Sequence, residues 1–581
     1  MLIAVNTVMA QYSPSNKNET ISKSTSESIF VHLSNTTLIT GETLHCKFYC
    51  LNPVNNHLSS ISKIAHVELI DDENKIIFIN KIYLDNGTGQ GDFFIPTTIK
   101  SGNYKLISYT NWMQNKIDSK ISEIDLVIIN PYINGKNPNN IKDSKTAATN
   151  TPVAETEIKV ENPAQDKTFS LELNKKITEK REQILLKVKP LKEVNNEGSF
   201  SVSIKRIDNL PSQKQMSSDE FVKSNSKYRN QINDNILFLP ELRGEIISGT
   251  ITNNKDSKEI ADKNIALSIP GKDFAFKIVK TDQNGKFNFI LDKNPNNSGA
   301  VIQVAETNRN DFKIEIDKNN GYNLSEIKSK KELNLTSDYK NAIEERSVAN
   351  QIENAYYSIK KDSVQKSSRN EPFYHPLEKD YVLSDYTKFP SLKETITEVV
   401  KEVYYREDNN DFTLNVRDIN YDLKFFSEPA LVMVDGLLIQ NVKELIDYKM
   451  DNVYKISLVP GVYVYGPKAF NGIINFTTKN NDYISKENGA YILKTQIERP
   501  LNQTVYFNQD YTDRTKYDRI PDYRYQLLWE PELSLNGSEK TISFYTSDVS
   551  GTYEINLEGF TKDGTPVSLK ETFEVKDSNL N

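Results

Sequence analysis

The chain has 581 residues, too many for one ordinary hydrophobic core, and about 150 residues per domain gives an expectation of about four modules. Lys and Arg total 72 against 79 Asp and Glu, a formal charge of −7 without a basic block, so neither nucleic acid nor an anionic membrane is called for as a partner. Hydrophobic residues make up 37%, with 30 Tyr and 25 Phe among abundant Asn, Lys, Ser, Thr and Ile, a mix that suits short twisted strands and polar turns. No apolar run approaches the roughly eighteen residues that a membrane helix needs, so no transmembrane segment is expected.

The chain opens with "MLIAVNTVMAQYSPSN", an apolar stretch ending in Val-Met-Ala before a polar turn. This pattern is that of a secretory signal cut between Ala10 and Gln11. The basic n-region is missing, which leaves two readings: a signal remnant over residues 1–10 whose start lies upstream, or a short apolar N-terminus. The first is taken here, and it makes the protein exported. Gln11 in place of Cys gives no lipid attachment point.

Cys46 and Cys50 are the two cysteines, in "GETLHCKFYCLN". On a strand they share one face, and four steps of about 3.3 Å hold their backbones roughly 13 Å apart, so no disulfide between them is expected. His45, His57 and His66 lie nearby, but His45 faces away from the cysteines and no paired C-x-x-C knuckle exists, so no metal site is expected.

Residues 28–129 fall into short apolar runs, "IFVHLSN", "ETLHCKFYCLN", "IAHVELIDD", "KIIFINKIYL", "GQGDFFIP" and "GNYKLISYTNW", each bounded by Gly, Asn, Asp or Pro. That is the punctuation of antiparallel strands in a β-sandwich. "TGETLHCKFY", "VELIDDENKII", "GTGQGDFFIP" and "SGNYKLISYT" together resemble the macroglobulin-type domain of large secreted and periplasmic proteins, and the resemblance implies a scaffolding module. No Cys-Gly-Glu-Gln thioester motif accompanies it.

Residues 130–166 are rich in Asn, Pro, Thr, Ala and Lys without a periodic apolar face, and read as a linker. "FSLELNKKI", "QILLKVKPL" and "GSFSVSIKRID" then predict a second small sandwich and connector over 167–235. From Glu241, "ISGTIT", "ALSIPG" and "TDQNGKFNF" resemble the carboxypeptidase regulatory-like domain, a prealbumin-type sandwich over 239–322 that is not itself a peptidase. Asp282 and Gly285 read there as turn formers.

A helix and irregular connector are expected over 337–386. Ile343, Val348, Ile352, Ala355 and Tyr356 stand near helical spacing, and Ser337 or Asp338 is available as N-cap. "SLKETITEVVKEVYY" places Ser391 and Glu394 in capping-box spacing and Ile396, Val399, Val400 and Val403 on one helical face. His375 stands alone between these segments and reads as a surface residue.

The stretch 427–439, "SEPALVMVDGLLI", sets Asp435 and Gly436 between two apolar runs, either an exposed reactive acid or a hairpin turn. With "NVYKISLVPGVYVYGPKAFNGIINFTTK" after it, residues 387–480 resemble the plug domain of TonB-dependent outer-membrane transporters. The resemblance rests on Val434-Asp435-Gly436, on Ile456 to Pro460 leading into Gly461, on Tyr465-Gly466, and on Asn471-Gly472. It implies that Asp435, Gly436, Gly461, Gly466 and Gly472 are structural turn positions. Asp418 in "VRDIN" departs from the family's arginine-glycine. A plug is normally enclosed by a barrel of about twenty-two strands of about 9 to 11 residues each. Residues 481 to 581 are too few to encode it, so a barrel is expected on another chain.

The last segment, 484–581, alternates Ile542, Phe544 and Tyr545 and then Tyr553, Ile555 and Leu557 with polar positions, and reads as an immunoglobulin-like domain. "LLWEPEL" and "FYTSDVSGTYEINLEGFTKDG" resemble the C-terminal module found with macroglobulin and plug domains in Bacteroidota-type cell-envelope proteins. The expected fold class is therefore mostly β and multidomain: several immunoglobulin-like or prealbumin-like β-sandwiches plus a small α+β plug-like domain.

No G-x-S-x-G, H-E-x-x-H, P-loop or dinucleotide fingerprint occurs, and the five histidines leave the later modules nearly without a neutral-pH base. No catalytic residue, cofactor or metal is assigned. The expected function is a non-enzymatic adaptor or scaffold on the periplasmic face of the outer membrane, partnered by an outer-membrane β-barrel protein or its complex. The alternative is a glycan- or peptide-binding cell-surface protein using the Tyr-rich loop "DYTDRTKYDRIPDYRYQ".

Overall fold

The structure is a computed structural model, and it describes residues 26–115, 121–133, 168–191, 197–225, 238–255, 259–292, 297–318, 321–327, 333–365, 371–408, 411–417, 429–513 and 517–577. The chain is mostly β and divides into two compact units, one of residues 1–242, 321–365 and 501–581, the other of 243–320 and 366–500. Residues 1–10, Asp418 and nearly all of the linker lie outside the described residues.

In the first unit, a five-stranded sheet runs Thr37–Ile39, Ser122–Ile129, Gly102–Tyr109, Ile64–Ile70, Ile76–Tyr83, and faces a three-stranded sheet of Ser28–Leu33, Thr43–Leu51 and Thr88–Phe94. Their inward residues, among them Val31, Phe48, Val67, Leu106 and Ile128, form one core. Cys46 and Cys50 are both buried in this core.

The same unit holds a second sandwich that the sequence divides differently. Its five-stranded sheet runs Ile177–Thr178, Pro566–Val575, Gly551–Thr561, Glu197–Arg206, Gln526–Asn536, and its three-stranded sheet runs Lys540–Tyr545, Gln183–Pro190, Phe169–Leu173. The segments expected as separate domains, 167–235 and 484–581, thus interleave in both sheets: Glu197–Arg206 lies between Gln526–Asn536 and Gly551–Thr561. The physical reason is strand supply. Four strands from 169–206 leave two faces uncovered, and the C-terminal strands complete both around a core of Phe200, Val202, Phe544, Tyr553 and Leu557.

The helix expected near 337–358 spans Lys340–Ala355. Neither Ser337 nor Asp338 caps it, because a 3-10 turn, Ser337–Tyr339, runs directly into it and makes Tyr339 the N-cap residue without a side-chain bond. Its fully buried residues are Arg346, Ser347 and Ala349, whereas Val348 is 54% exposed. The helix is turned by an ion-pair hub rather than by its apolar stripe. Arg346 meets Glu42 through Nε and Nη2 at 2.7 and 2.8 Å, Asp208 at 2.8 Å and the Thr37 carbonyl at 2.9 Å.

In the second unit, a prealbumin-like sandwich pairs Lys286–Leu291, Glu245–Asn253 and Phe312–Ile316 against a sheet of Ala275–Lys280, Asn264–Ile269, Gly299–Val304 and Ile492–Gln496. The last strand comes from the segment expected to be C-terminal domain; it pairs antiparallel with Gly299–Val304 and so extends this sheet. Asp282 and Gly285 do form a turn: the Asp282 carboxylate accepts from the Asn284 and Lys286 amides at 2.8 and 2.9 Å, and Gly285 has φ +74°.

The remaining sheet of this unit is mixed and five-stranded, in the order Lys379–Val382, Val453–Tyr465, Lys468–Thr478, Leu431–Val434, Leu437–Leu438. One face packs with the helix Leu392–Glu398, the short helix Lys443–Ile446 and the ribbon Val403–Asp408/Asp411–Val416. Ser391 and Glu394 make both bonds of a capping box. The helix ends at Glu398, short of the expected reach to Val403, which begins a strand; Ile396, Val399, Val400 and Val403 are nonetheless all in the core.

Candidate functional site

The glycine-marked turns around Asp435 all lie on the mixed sheet of the second unit. Asp435 and Gly436 connect Leu431–Val434 to Leu437–Leu438 as a two-residue hairpin, with Val434 opposite Leu437. Both have positive φ, +50° and +82°, the pattern of a type I′ turn, for which Asp-Gly is among the favoured sequences.

The turn is buried. Asp435 is 1% exposed, and its carboxylate accepts from the Thr478 amide at 2.7 Å, the Thr478 hydroxyl at 2.6 Å and the Tyr483 amide at 3.2 Å. Its backbone amide donates to the Phe476 carbonyl at 2.8 Å, and its carbonyl accepts from the Gly271 amide at 3.0 Å. Chemically this carboxylate is a clamp, tying the hairpin to the end of Lys468–Thr478 and to the chain that follows. Asp435→Ala strands those donors in a dry site and is expected to cost about 3 kcal/mol, whereas Asp435→Asn keeps an acceptor oxygen and is expected to cost about 1 kcal/mol. Amide exchange of Thr478 and Tyr483 in the two variants checks the order.

Gly436 lies against the Phe274 ring, which occupies the space a Cβ would need. Gly461 falls where the register between Val453–Tyr465 and Lys468–Thr478 slips, between Val459 and Val462, so Pro460 and Gly461 together oppose the single Gly472 in a bulge. Gly466, φ +59°, precedes Pro467 in the turn joining Tyr465 to Lys468; a positive φ followed by proline's fixed negative one gives a type II′ hairpin. Gly472, φ +99°, has Val416 Cγ2 only 2.7 Å from where a Cβ would stand.

The structure thus brings the five residues onto one sheet, at turns, a bulge and a close approach. What the sequence does not disclose is the partner of the sheet's other face. Leu431, Met433, Val459, Phe470 and Ile473 pack with Ala266, Phe276 and Ile278 of the prealbumin-like sandwich, with Tyr374 and Phe373 at the margin. Polar bonds stitch the same contact: Gln303 donates to the Leu438 carbonyl at 2.9 Å, the Leu438 amide to the Ser268 hydroxyl at 3.1 Å, and the Tyr465 hydroxyl to the Phe276 carbonyl at 2.7 Å. The signal lay in Leu431, Met433 and Ile473, whose alternates Val432, Val434 and Ile474 serve the helix-covered core; a strand apolar on both faces is covered on both.

The contact follows one face of the ribbon as far as the Gly466 turn, where the Ile278 carbonyl oxygen lies 2.7 Å from where a Cβ would stand. Lys379–Val382 pairs with Val453–Tyr465 only through Lys455 to Leu458, so from Val459 onward no strand among the described residues lines that edge. On the outward face Val462 is 56% and Val464 72% exposed, while Tyr463 and Tyr465 turn inward onto Phe373.

In the first unit, the Tyr-rich loop packs Tyr511 and Tyr517 inward and leaves Tyr523 exposed. Tyr511, Tyr517 and Tyr545 are buried together, packed with Ile520, and Arg181 stacks over Tyr511. Asp522, 0% exposed, anchors the loop: Arg524 meets both its oxygens at 2.7 Å, the Tyr511 hydroxyl donates at 2.8 Å, and Lys360 lies at 3.4 Å. Burial raises the Asp522 pKa, but the Arg524 and Lys360 charges and the Tyr511 hydroxyl outweigh it and hold the pKa down at about 2. A depressed acid stabilises the fold above its unfolded value near 4 and loses that contribution as pH falls toward 2, about 2.5 kcal/mol in all. Trp112 and Trp529 both lie in this unit. Trp fluorescence in urea at pH 5 and pH 2.5 is expected to show this loss in the wild type and a smaller one in Asp522→Asn.

Apart from His45, whose Nδ1 is buried without a hydrogen-bond partner among the described residues, the histidines are likewise occupied or peripheral. His66 contacts Glu241 at 2.8 Å and stacks on Tyr109, His32 meets the Ser201 hydroxyl at 2.7 Å, and His375, on the surface, contacts Glu378. Burial, with the charges of Lys205 and Lys570, pushes the His32 pKa down to about 3. Among the described residues no cluster of three or more His, Cys, Asp or Glu side chains could hold a metal, and no helix is long and apolar enough to cross a membrane.

Fold and site together define a multidomain, mostly-β protein in which a mixed five-stranded sheet is backed by a β-sandwich. No protein-family model matches the chain, and no protein of curated function does. Among solved structures, the chain is similar to Salmonella α2-macroglobulin reacted with methylamine, at 7% identity and a TM-score of 0.24, covering 95% of this chain and 39% of that one. It is similar to Escherichia coli α2-macroglobulin activated by porcine elastase at 9% identity and a TM-score of 0.24, covering 95% of this chain and 44% of that one. The Escherichia coli adhesin FdeC matches 32% of this chain with 48% of its own, at 9% identity and a TM-score of 0.14. The chain spans about two fifths of the length of the α2-macroglobulins it matches.

Proposed function

We propose that the protein is a non-enzymatic, exported adaptor on the periplasmic face of the outer membrane, docking through its β-sandwich and plug-like modules onto a complex that contains an outer-membrane β-barrel. The complex is of the transport, secretion or barrel-assembly kind. The observation that carries the reading is the ribbon ending at Gly466: its base is held between two cores, while Val462 and Val464 face solvent beside an edge that no described strand lines. Soluble proteins rarely leave an apolar strand edge open, and such an edge accepts a partner's strand through backbone hydrogen bonds. Asp435, in turn, is consumed in holding the hairpin and is not exposed to a substrate. The residues after 480 that might have supplied barrel strands instead serve the two sandwiches, as Ile492–Gln496 and as the strands from Gln526 to Val575.

The rival reading, a glycan- or peptide-binding surface protein, rests on the tyrosines of the 510–526 loop; the packing of Tyr511 and Tyr517 weakens its support, with Tyr523 left 38% exposed. The test is affinity capture from detergent-extracted envelopes followed by mass spectrometry. Wild-type protein is expected to retain an outer-membrane barrel protein, and Val462→Glu/Val464→Glu, which alters only exposed side chains, to lose at least tenfold of it. A free, monodisperse protein that binds glycan arrays, or a cytoplasmic location in fractionation, would overturn the adaptor.

A further inference from the structure

A buried carboxylate in the first unit has no cation to pair with. Glu558, on the strand Gly551–Thr561, is 2% exposed, and among the described residues no Lys, Arg or His lies within ion-pair distance of it. Its Oε1 accepts from the Ser568 hydroxyl at 2.8 Å, and its Oε2 accepts from the Ser218 amide at 2.9 Å.

Ser218 opens the helix Ser218–Asn225. Ser217 and Glu220 cap that helix reciprocally, at 3.2 and 3.1 Å, so the Ser218 amide is one of the orphan donors of the first turn, and Glu558 satisfies it. The helix then lays Phe221 and Val222 on a cluster of Phe30, Tyr49, Leu51 and Phe560, bridging the macroglobulin-like sandwich and the interleaved one. Asn225 closes the strap on Ser28 at 3.2 Å. One carboxylate therefore stands beneath the docked end of a strap that joins two modules.

We propose that Glu558 makes the docking of the helix Ser218–Asn225 pH-dependent: the strap holds most firmly while the carboxyl is protonated and loosens as it ionises. An unpaired charge is costly in a dry site, and lifting the helix end lets water reach it. The surroundings do not cancel this cost. Ser201 is the cross-strand neighbour on one side and Ser568 on the other, and the Tyr49 hydroxyl is bonded to the Glu558 carbonyl rather than to its carboxylate. Lys570 is engaged by Glu554 at 3.2 Å, and on the helix Asp219 pairs with Lys223 and Glu220 with Lys214.

Burial raises the Glu558 pKa to about 7, against the two serine bonds and the distant Lys570 charge. The docked state therefore keeps its proton up to about neutrality, while a lifted, solvated carboxyl releases it at ordinary acid pH. Raising pH from about 4.5 to about 7 thus favours lifting, by up to about tenfold per pH unit, and above 7, where both states are ionised, the preference no longer changes.

Hydrogen–deuterium exchange of peptides covering 218–225 in the full-length protein, corrected for intrinsic rates between about pH 4 and 8.5, tests this. Wild-type protection is expected to fall at least about tenfold as pH rises from about 4.5 to 7 and to level off above it, while Glu558→Gln stays flat. Ser568→Ala, which removes a donor to the ionised form, is expected to move the midpoint to higher pH. Equal pH profiles in wild type and Glu558→Gln overturn the proposal. Should Glu558→Gln not fold, the Ser568→Ala midpoint decides, an unmoved one overturning it.

Discussion

Arg346→Met is expected to lower the stability of the first unit by about 3 to 5 kcal/mol, the range for removing one partner from a buried ion-pair network. Arg346 is 4% exposed, and its guanidinium engages Glu42, Asp208 and the Thr37 carbonyl at once, with the Tyr525 ring 5.8 Å away. Burial opposes its charge, but the two carboxylates more than compensate, so the pKa is raised above the ordinary arginine value. Methionine fills much of the volume and supplies none of the five-donor geometry, leaving Glu42 and Asp208 facing one another with side chains only 16% and 14% exposed. Besides this hub, the helix Lys340–Ala355 is held by Ala342 and Ile343 on an apolar cluster and by Asn350 and Asn354, which donate to the Thr40 and Gly41 carbonyls. Urea unfolding followed by Trp112 and Trp529 fluorescence measures the loss, and a midpoint shift worth less than 1 kcal/mol would show the hub to be dispensable.

Gly436→Ala is expected to destabilise the second unit by about 3 kcal/mol, as much as Asp435→Ala. Two costs add: an L-residue at φ +82° in a turn that already places Asp435 at +50°, and a methyl group driven into the Phe274 ring. Phe274 cannot move freely, because it packs beside Tyr374 in the contact between the mixed sheet and the prealbumin-like sandwich. The damage should therefore spread into that contact. Amide exchange over 431–438 and 264–269 is expected to accelerate together in Gly436→Ala, whereas Gly461→Ala, with open space around the site and no positive φ, should leave both segments unchanged.

The comparison of these two glycines shows where a sequence is readable. The pair Asp435-Gly436 announces a hairpin because its chemistry is local: a side chain that bonds nearby backbone, and a residue free to take positive φ. The alternation of Lys286–Leu291, exposed and buried in strict turn, and the capping box at Ser391 and Glu394 are legible for the same reason. The Arg346 hub is not, since apolar periodicity counts Ile343, Val348 and Ile352 and gives no weight to an arginine whose partners stand at positions 42 and 208. Nor is the burial of Tyr511 and Tyr517, which depends on Arg181, Lys360 and Asp548 arriving from distant parts of the chain.

By itself the sequence determined the mostly-β class, the approximate strands, the hairpin and its glycines, because each follows from a few consecutive residues. Only the tertiary structure decided which strands share a sheet. Glu197–Arg206 is flanked by Gln526–Asn536 and Gly551–Thr561, and Ile492–Gln496 joins Gly299–Val304. A strand's pattern states that it needs neighbours and which face is apolar; it does not state which neighbours, because backbone hydrogen bonds are the same for every partner. The choice falls to the burial of whole faces, Phe200 against Phe169 and Met433 against the prealbumin-like sheet, and that is settled only when the chain has closed on itself.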